Sequence, residues 1–550
     1  MTKNEAIKNA VTNFMNQHVI ASVNDLKEIE AELLKEIYAE FDSHNSIAIK
    51  DEKWRKPEYL DNLMISEIMP KVFSFRKIRC CPQNPEYSLL GVYVDDYVVS
   101  ITGCDKYYGI YVTDDETIEK LVEFFNASIA EKNIKEVVSK IKRNANEVAR
   151  CDDRDLIAVN NGVFNYKTKE LKDFSPDYVF LTKSCVNYNP NAVSPVIKMP
   201  NGNDWDVESW MADLNDDPEI TNLFWEITSA LLRPNVRWNK AAMLISDTGN
   251  NGKGTLVEMW RALLGDGTHC SIPLSDFSKD FMLEPLIRTS AVITDENDVG
   301  GYLDKAANLK AVITNDVVSI NRKFKEPISY QVRGFMVQCL NEIPKIKDKS
   351  ESFYRRQLYI PMTKCFTGIE IPEIKNDYLH RKDVLEYVMK KALETNFYKL
   401  SEPESCRLAC EEYKEFNDPV RQFWNEFKDD FVWNLLPFKF LYALFLSWSL
   451  KNNPSGKPMS NSSFINDLLQ ILKNDENWIC LDKAKQFYPA DGNDFYGMTR
   501  PEHLIVDYDL KEWMSPTHKG KNKDLLATPT LDKRYRGLLR VNSANNADDK

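Results

Sequence analysis

Three short apolar runs, AAMLIS from Ala241, AVIT from Ala291 and FMVQCL from Phe335, set the pattern of the middle of the chain. Each is too short for a free-standing helix, and the composition of each predicts a buried strand of a parallel sheet. Between the first two, Lys253 to Leu264 has helical spacing, so the order is strand, loop, helix, strand. Leu303 to Thr314 predicts a further helix, and Val317 to Tyr330 alternates as two short strands joined by a basic turn. Upstream, Val19 to Phe41, Glu116 to Phe125 and Ile134 to Val148 are helical in period, whereas Leu89 to Ile101 and Tyr107 to Val112 are strand-like. Leu156 to Ala192 is broken by Asn-Gly, Ser-Pro and Asn-Pro steps that mark turns between short strands, and helical spacing resumes from Trp205 until Pro234. Downstream, Asp418 to Trp433, Leu435 to Ser449 and Ser460 to Leu472 predict helices, followed by strand-like pieces near Trp478 and Leu504.

A chain of 550 residues exceeds what one hydrophobic core serves, so two to four domains are expected. With 43% hydrophobic and 28% charged residues, the sequence leaves little room for extensive disorder. The longest apolar window, Phe438 to Leu450, is too short to cross a bilayer and predicts a buried helix; no membrane partner is expected. The first residues carry no apolar signal run, and the 11 cysteines fall without repeated CxxC pairs, which favours free thiols in a reducing, cytoplasmic compartment. A net charge of -12 argues against a protein that coats nucleic acid indiscriminately, while leaving room for a local basic track.

Chemistry concentrates where the apolar runs stop. After Ile245 the chain reads SDTGNNGKGT, a loop in which Thr248, Gly249, Asn250, Asn251, Gly252, Lys253, Gly254 and Thr255 could surround phosphates. Backbone N–H groups at a helix start point at such an anion, and a lysine reaches its outer oxygens. The loop departs twice from G-x-x-x-x-G-K-[ST]: Asp247 replaces the first glycine, and Gly254 replaces the hydroxyl residue that ordinarily helps to hold magnesium. The second run ends on Asp295 and Glu296, placing one carboxylate for a metal and another for the attacking water at a sheet edge. The third ends on Asn341, an amide able to reach a terminal phosphate or the lytic water, and Arg355 and Arg356 follow as guanidinium donors for a neighbouring subunit's site. The acid pairs Asp95–Asp96 and Asp114–Asp115 lack a third carboxylate in frame and are read as turn or strand-edge residues.

The frames NNGVFNYKTKELKDFSP, GNNGKGTL, VITDEND, VQCLNEIP and KDKSESFYRRQLYIP together resemble the superfamily 3 helicases, in particular the D5-like primase-helicases of poxviruses, bacteriophages, plasmids and mobile islands. The resemblance covers roughly Leu156 to Pro361. It implies a multidomain α/β protein with a central AAA+ P-loop ATPase, a mixed α+β N-terminal region and a C-terminal winged-helix-like domain. The expected divisions are 1–150, a D5-N-like region at 151–215, the ATPase at 216–364, a helical linker at 365–415, the winged-helix-like part at 416–541 and a disordered tail at 542–550. By the same resemblance Lys253 is the Walker A lysine, Asp295 and Glu296 form Walker B, Asn341 is sensor 1, and Arg355 or Arg356 is the arginine finger. ATP and Mg2+ are the implied cofactors, with Thr255 and Asp295 as metal ligands. Arg322, Lys323 and Lys325 are the implied DNA contacts, on a hairpin that enters a ring channel. The implied activity is an ATP-dependent replicative DNA helicase, a homo-hexamer moving 3' to 5' on single-stranded or forked DNA in a bacterial host cytoplasm, with origin duplex DNA and a primase among its partners. A net of +5 between Lys511 and Arg540 fits duplex DNA or a solvated tail equally well. An origin-binding scaffold that uses ATP as an assembly switch and a DNA-packaging ATPase remain the alternatives.

Overall fold

The computed structural model describes all residues except 1, 18–22, 83–86, 247–248, 298–301, 304, 343, 453–458, 481–495, 519, 533 and 542–550. Asp247, Thr248 and the expected tail at 542–550 therefore lie outside the described residues. The chain divides into two compact units, Met1–Cys410 and Glu411–Lys550.

The first unit begins with helices Lys3–Gln17, Val23–Ile47 and Asn62–Val72, followed by a four-stranded sheet in the order Tyr111–Val112, Ser88–Tyr93, Phe75–Arg79, Glu147–Val148. The strand-like run from Leu89 to Ile101 does not stay extended. It turns at Asp95, whose carboxylate accepts from the N–H of Val98 and starts the helix Asp96–Thr102. Asp114 likewise accepts from Thr117 N and caps Asp115–Phe125. The leading acid of each pair is thus an N-cap, which satisfies an orphan donor of the first turn, and not a strand-edge residue.

A three-stranded antiparallel sheet, Leu156–Val159, Gly162–Asn165 and Glu170–Lys172, precedes helices Val207–Asp213 and Pro218–Leu232. One hydrophobic core then runs from Ile157 to Cys406, crossing the divisions at 215 and 364 that sequence alone suggests. At its centre lies a five-stranded sheet in the order His269–Cys270, Ala291–Thr294, Phe335–Leu340, Ala241–Ile245, Gln357–Pro361, with every neighbouring pair parallel. Phe335–Leu340 is buried at all six positions, which is why it reads as an unbroken apolar run and not as an alternation. Helix Lys253–Leu264 buries Leu256, Val257, Met259, Trp260, Leu263 and Leu264, and the Trp260 indole donates to Thr228 Oγ1 at 2.8 Å, tying it to Pro218–Leu232. The helix expected from Leu303 is confined to Ala307–Ile313, because Tyr302–Leu303 pairs as a strand with Lys345–Ile346.

The second unit runs helix Pro419–Phe427, strand Leu435–Pro437, helix Phe438–Asn452, helix Asn461–Ile471, strand Trp478–Cys480 and finally strand Gly537–Arg540, which lies between the other two. Its core gathers Phe423, Trp424, Trp433, Phe440, Phe445 and Trp478 among others. Two expectations change here. Leu435–Pro437 forms a strand before the helix starts, and the piece near Leu504 is a short helix, Leu504–Asp507. No helix among the described residues is long and apolar enough to cross a membrane.

Candidate phosphate-binding site

Because neighbouring strands are parallel, Ile245, Thr294 and Leu340 all end at the same sheet edge. That edge is where open α/β sheets hold ligands. The loop after Ile245 turns through Asn250 at φ 52° and Gly252 at φ 84°, and helix Lys253–Leu264 starts immediately. Glycine is required at 252 on two counts: its φ is left-handed, and an added Cβ would lie 2.6 Å from Leu214 Cδ2. Buried Asn251 accepts from the N–H of Lys253 at 3.3 Å and holds the turn.

Lys253 is only 6% exposed. Its ammonium donates to Asn341 Oδ1 at 3.0 Å, Leu340 O at 3.2 Å and Ser246 O at 3.4 Å. The structure thus joins two residues 88 positions apart, the loop lysine and the strand-end amide. Gly254 faces Asp295: a Cβ there would lie 3.6 and 3.7 Å from the two carboxylate oxygens. Thr255, by contrast, lines an adjoining cavity of about 430 Å³ with Trp205, Trp210, Leu214, Phe366 and Lys375. Glu296 is exposed at the same strand end. Burial, and then the neighbouring Asp295 carboxylate, raise the Cys339 thiol to about 12, so it stands there protonated and hydrogen-bonded to Asp295. Among the described residues no group of three His, Cys, Asp or Glu side chains could hold a metal by itself. One carboxylate beside a phosphate loop nevertheless suits Mg2+, which keeps several waters and takes its remaining oxygens from phosphates.

Asn297 was not singled out by sequence, yet it staples the strand ends together. Its amide donates to Gln338 Oε1 and to Cys339 O, both at 3.0 Å, and its carbonyl accepts from Leu274 N at 2.8 Å. The loop is held from its other side by the chain that follows the last strand. Phe366 N donates to Asn250 O at 2.7 Å, and the Asn250 amide donates to Glu370 Oε1 at 2.9 Å.

The two arginines separate. Arg356 turns inward, donating to Ser352 Oγ at 2.7 Å and to Ser352 O, with its Nε buried and unpartnered. Arg355 is exposed. The basic turn is a hairpin of Val317–Arg322 and Lys325–Gln331, with Phe324 at its tip 94% exposed at φ 59°. Arg322 is folded back on Glu326 O at 2.8 and 3.0 Å, Lys325 pairs with Asp115 of the N-terminal part at 2.5 Å, and Lys323 lies over the Phe324 ring. Beside the hairpin a cavity of about 750 Å³ adds Lys142 and Arg288 to Arg322 and Lys325. Phe324 could have been found in the sequence as the aromatic of RKFK; Lys142 and Arg288 are brought there only by the fold.

Three family models match the chain: D5 N terminal like over residues 4–216, a family of unknown function (DUF5906) over 244–356, and Poxvirus D5 protein-like over 415–497. The first takes in the N-terminal sheet as well as the 151–215 region. No curated protein matches. Among solved structures, two A-form apo structures of the NrS-1 C-terminal region are 14% and 15% identical, covering 88% of this chain and 100% and 99% of theirs, each at a TM-score of 0.41. A third apo structure of that region is 13% identical, covering 78% and 98%, also at 0.41. These scores are too low to equate the folds. In sequence the two D5-like matches flank the stretch that forms the five-stranded sheet, one ending at residue 216 and the other starting at 415.

Proposed function

We propose that the chain is an ATP-dependent DNA helicase of the superfamily 3, AAA+ type, working in replication as a homo-hexameric ring on single-stranded or forked DNA. The observation that carries this reading is the contact between Lys253 and Asn341 beside Asp295, at the shared end of a sheet whose chain-order sequence is 2-3-4-1-5. Lys253 exchanges its carbonyl partners for the β and γ phosphates. Glu296 orients and deprotonates the attacking water, Asn341 positions it, and Arg355 of a neighbouring copy meets the developing charge. Magnesium, when bound, neutralises the phosphate oxygens. Asp295 is its proposed protein ligand, and Thr255 is the proposed hydroxyl, in competition with water.

Translocation follows from the hairpin. Lys323, Lys325 and Arg322 supply phosphate contacts without sequence preference, and Phe324 offers a stacking face. From Pro419 the order is helix, strand, helix, helix, strand, then the short helices Leu504–Asp507 and Lys523–Leu526, then the last strand; apart from the insertion between the two final strands this order supports a winged-helix-like module, with origin duplex DNA as its ligand. ATP hydrolysis measured with and without single-stranded DNA, alongside native mass with nucleotide, tests the whole reading. Hydrolysis that DNA stimulates in a hexamer is expected. A monomer that hydrolyses no ATP with DNA present would refute it.

A further inference from the structure

Gly254 stands where a phosphate loop ordinarily carries a hydroxyl, and the space above it is bordered by two charges of opposite sign. The position its Cβ would take is 3.6 Å from Asp295 Oδ2 and 3.7 Å from the Lys375 ammonium. Both are ordinary van der Waals distances, so steric exclusion does not force the glycine. Asp295 and Lys375 both border this space, with no ion pair between them among the described residues. Lys375 belongs to the short helix Pro372–Asn376 beyond the last sheet strand and also lines the 430 Å³ cavity with Thr255 and Gly252. The chain leading to it is bonded to the loop itself, through Phe366 N to Asn250 O and the Asn250 amide to Glu370. The segment that carries this second lysine is thereby tied to the loop by contacts within one subunit.

We infer that Lys375 is a second phosphate-binding residue of the nucleotide site, donating in its own subunit to the outer phosphates of a nucleoside triphosphate over Gly254. The inference rests on the nucleotide reading given above. Lys253 by itself brings one positive charge to a triphosphate, and with no side chain at 254 the loop holds magnesium less firmly. An ammonium at this point supplies charge where the hydroxyl would have supplied a metal ligand. The absence of a side chain leaves its path to the phosphates open.

Equilibrium binding of ATP, ADP and AMP to the full chain, with magnesium present, tests the inference in wild type, Lys375→Met, Lys375→Arg and Lys253→Ala. Loss of a charge-assisted contact predicts that Lys375→Met weakens ATP by about tenfold or more. AMP should change little, Lys375→Arg should stay close to wild type, and thermal unfolding without nucleotide should be unaltered. Equal loss for ATP and AMP would assign Lys375 to the nucleoside or to folding and overturn the inference. So would wild-type ATP affinity in Lys375→Met beside weakened binding in Lys253→Ala, a result that leaves the nucleotide reading intact. If the wild-type chain binds none of the three nucleotides, the nucleotide reading itself is wrong and the role of Lys375 goes with it.

Discussion

At the scale of single residues, the proposed site assigns binding and reaction to different groups. Lys253→Ala removes a buried cation from the phosphates and should weaken ATP as well as abolish turnover. Glu296→Gln keeps shape and removes only the base, so ATP should bind normally and remain unhydrolysed. Single-turnover hydrolysis beside nucleotide binding distinguishes them, and matching wild-type rates in both would remove the site assignment. The arginines make a second pair of expectations. Arg356→Ala loses two contacts to Ser352 and should cost about 1–2 kcal/mol of stability, read by denaturant unfolding. Arg355→Ala is exposed and should stay within about 0.5 kcal/mol. In mixed rings with Lys253→Ala subunits, hydrolysis should recover at the loops of Arg355→Ala subunits, because a sound loop there meets the sound finger of its Lys253→Ala neighbour. From sequence the two arginines were indistinguishable; Ser352 separates them only once helix Glu351–Tyr354 brings its carbonyl and hydroxyl under the second guanidinium.

At the scale of elements, the hairpin is held in a docked state by an exposed pair, Lys325 with Asp115. Such pairs are worth about 0–1 kcal/mol, so Asp115→Asn should tighten single-stranded DNA binding by no more than about fivefold. Lys323→Ala/Lys325→Ala should spare basal hydrolysis while lowering the salt slope of binding by about 1.4, and Phe324→Ala should weaken binding without moving that slope. Titrations across salt concentration decide, and an unchanged slope in the double variant would make the hairpin a solvated turn. The hairpin and the three strand ends were legible because apolar period and polar punctuation coincide there. The extent of the helix at Lys253 was legible too, since a left-handed glycine starts it and Gly265 ends it. Asp95 was not: extended and helical runs of Tyr, Val and Ile look alike until the cap is seen to bond Val98.

At the scale of the molecule, Glu411–Lys550 carries its own aromatic core, and that segment expressed by itself should unfold in one cooperative transition. Tryptophan fluorescence during melting reads this directly, since Trp424, Trp433 and Trp478 are all buried in that core. A sloping, non-cooperative change would show that the segment depends on the rest of the chain. What sequence could not supply at this scale is assembly over distance. The order of the five strands, and the arrival of Lys375 over Gly254 from roughly 120 residues downstream, depend on crossovers that leave no local period.

The central place of Ala241–Ile245 in its sheet also bears on how the protein is made. Its two neighbours are Phe335–Leu340 and Gln357–Pro361, so a ribosome must add roughly 120 residues before the strand is flanked on both sides. At ~5–20 residues per second, that interval is on the order of ten seconds. For this time AAMLI is an apolar strand with at least one open edge on a nascent chain, and translation speed through residues 246–361 sets how long chaperones must shield it.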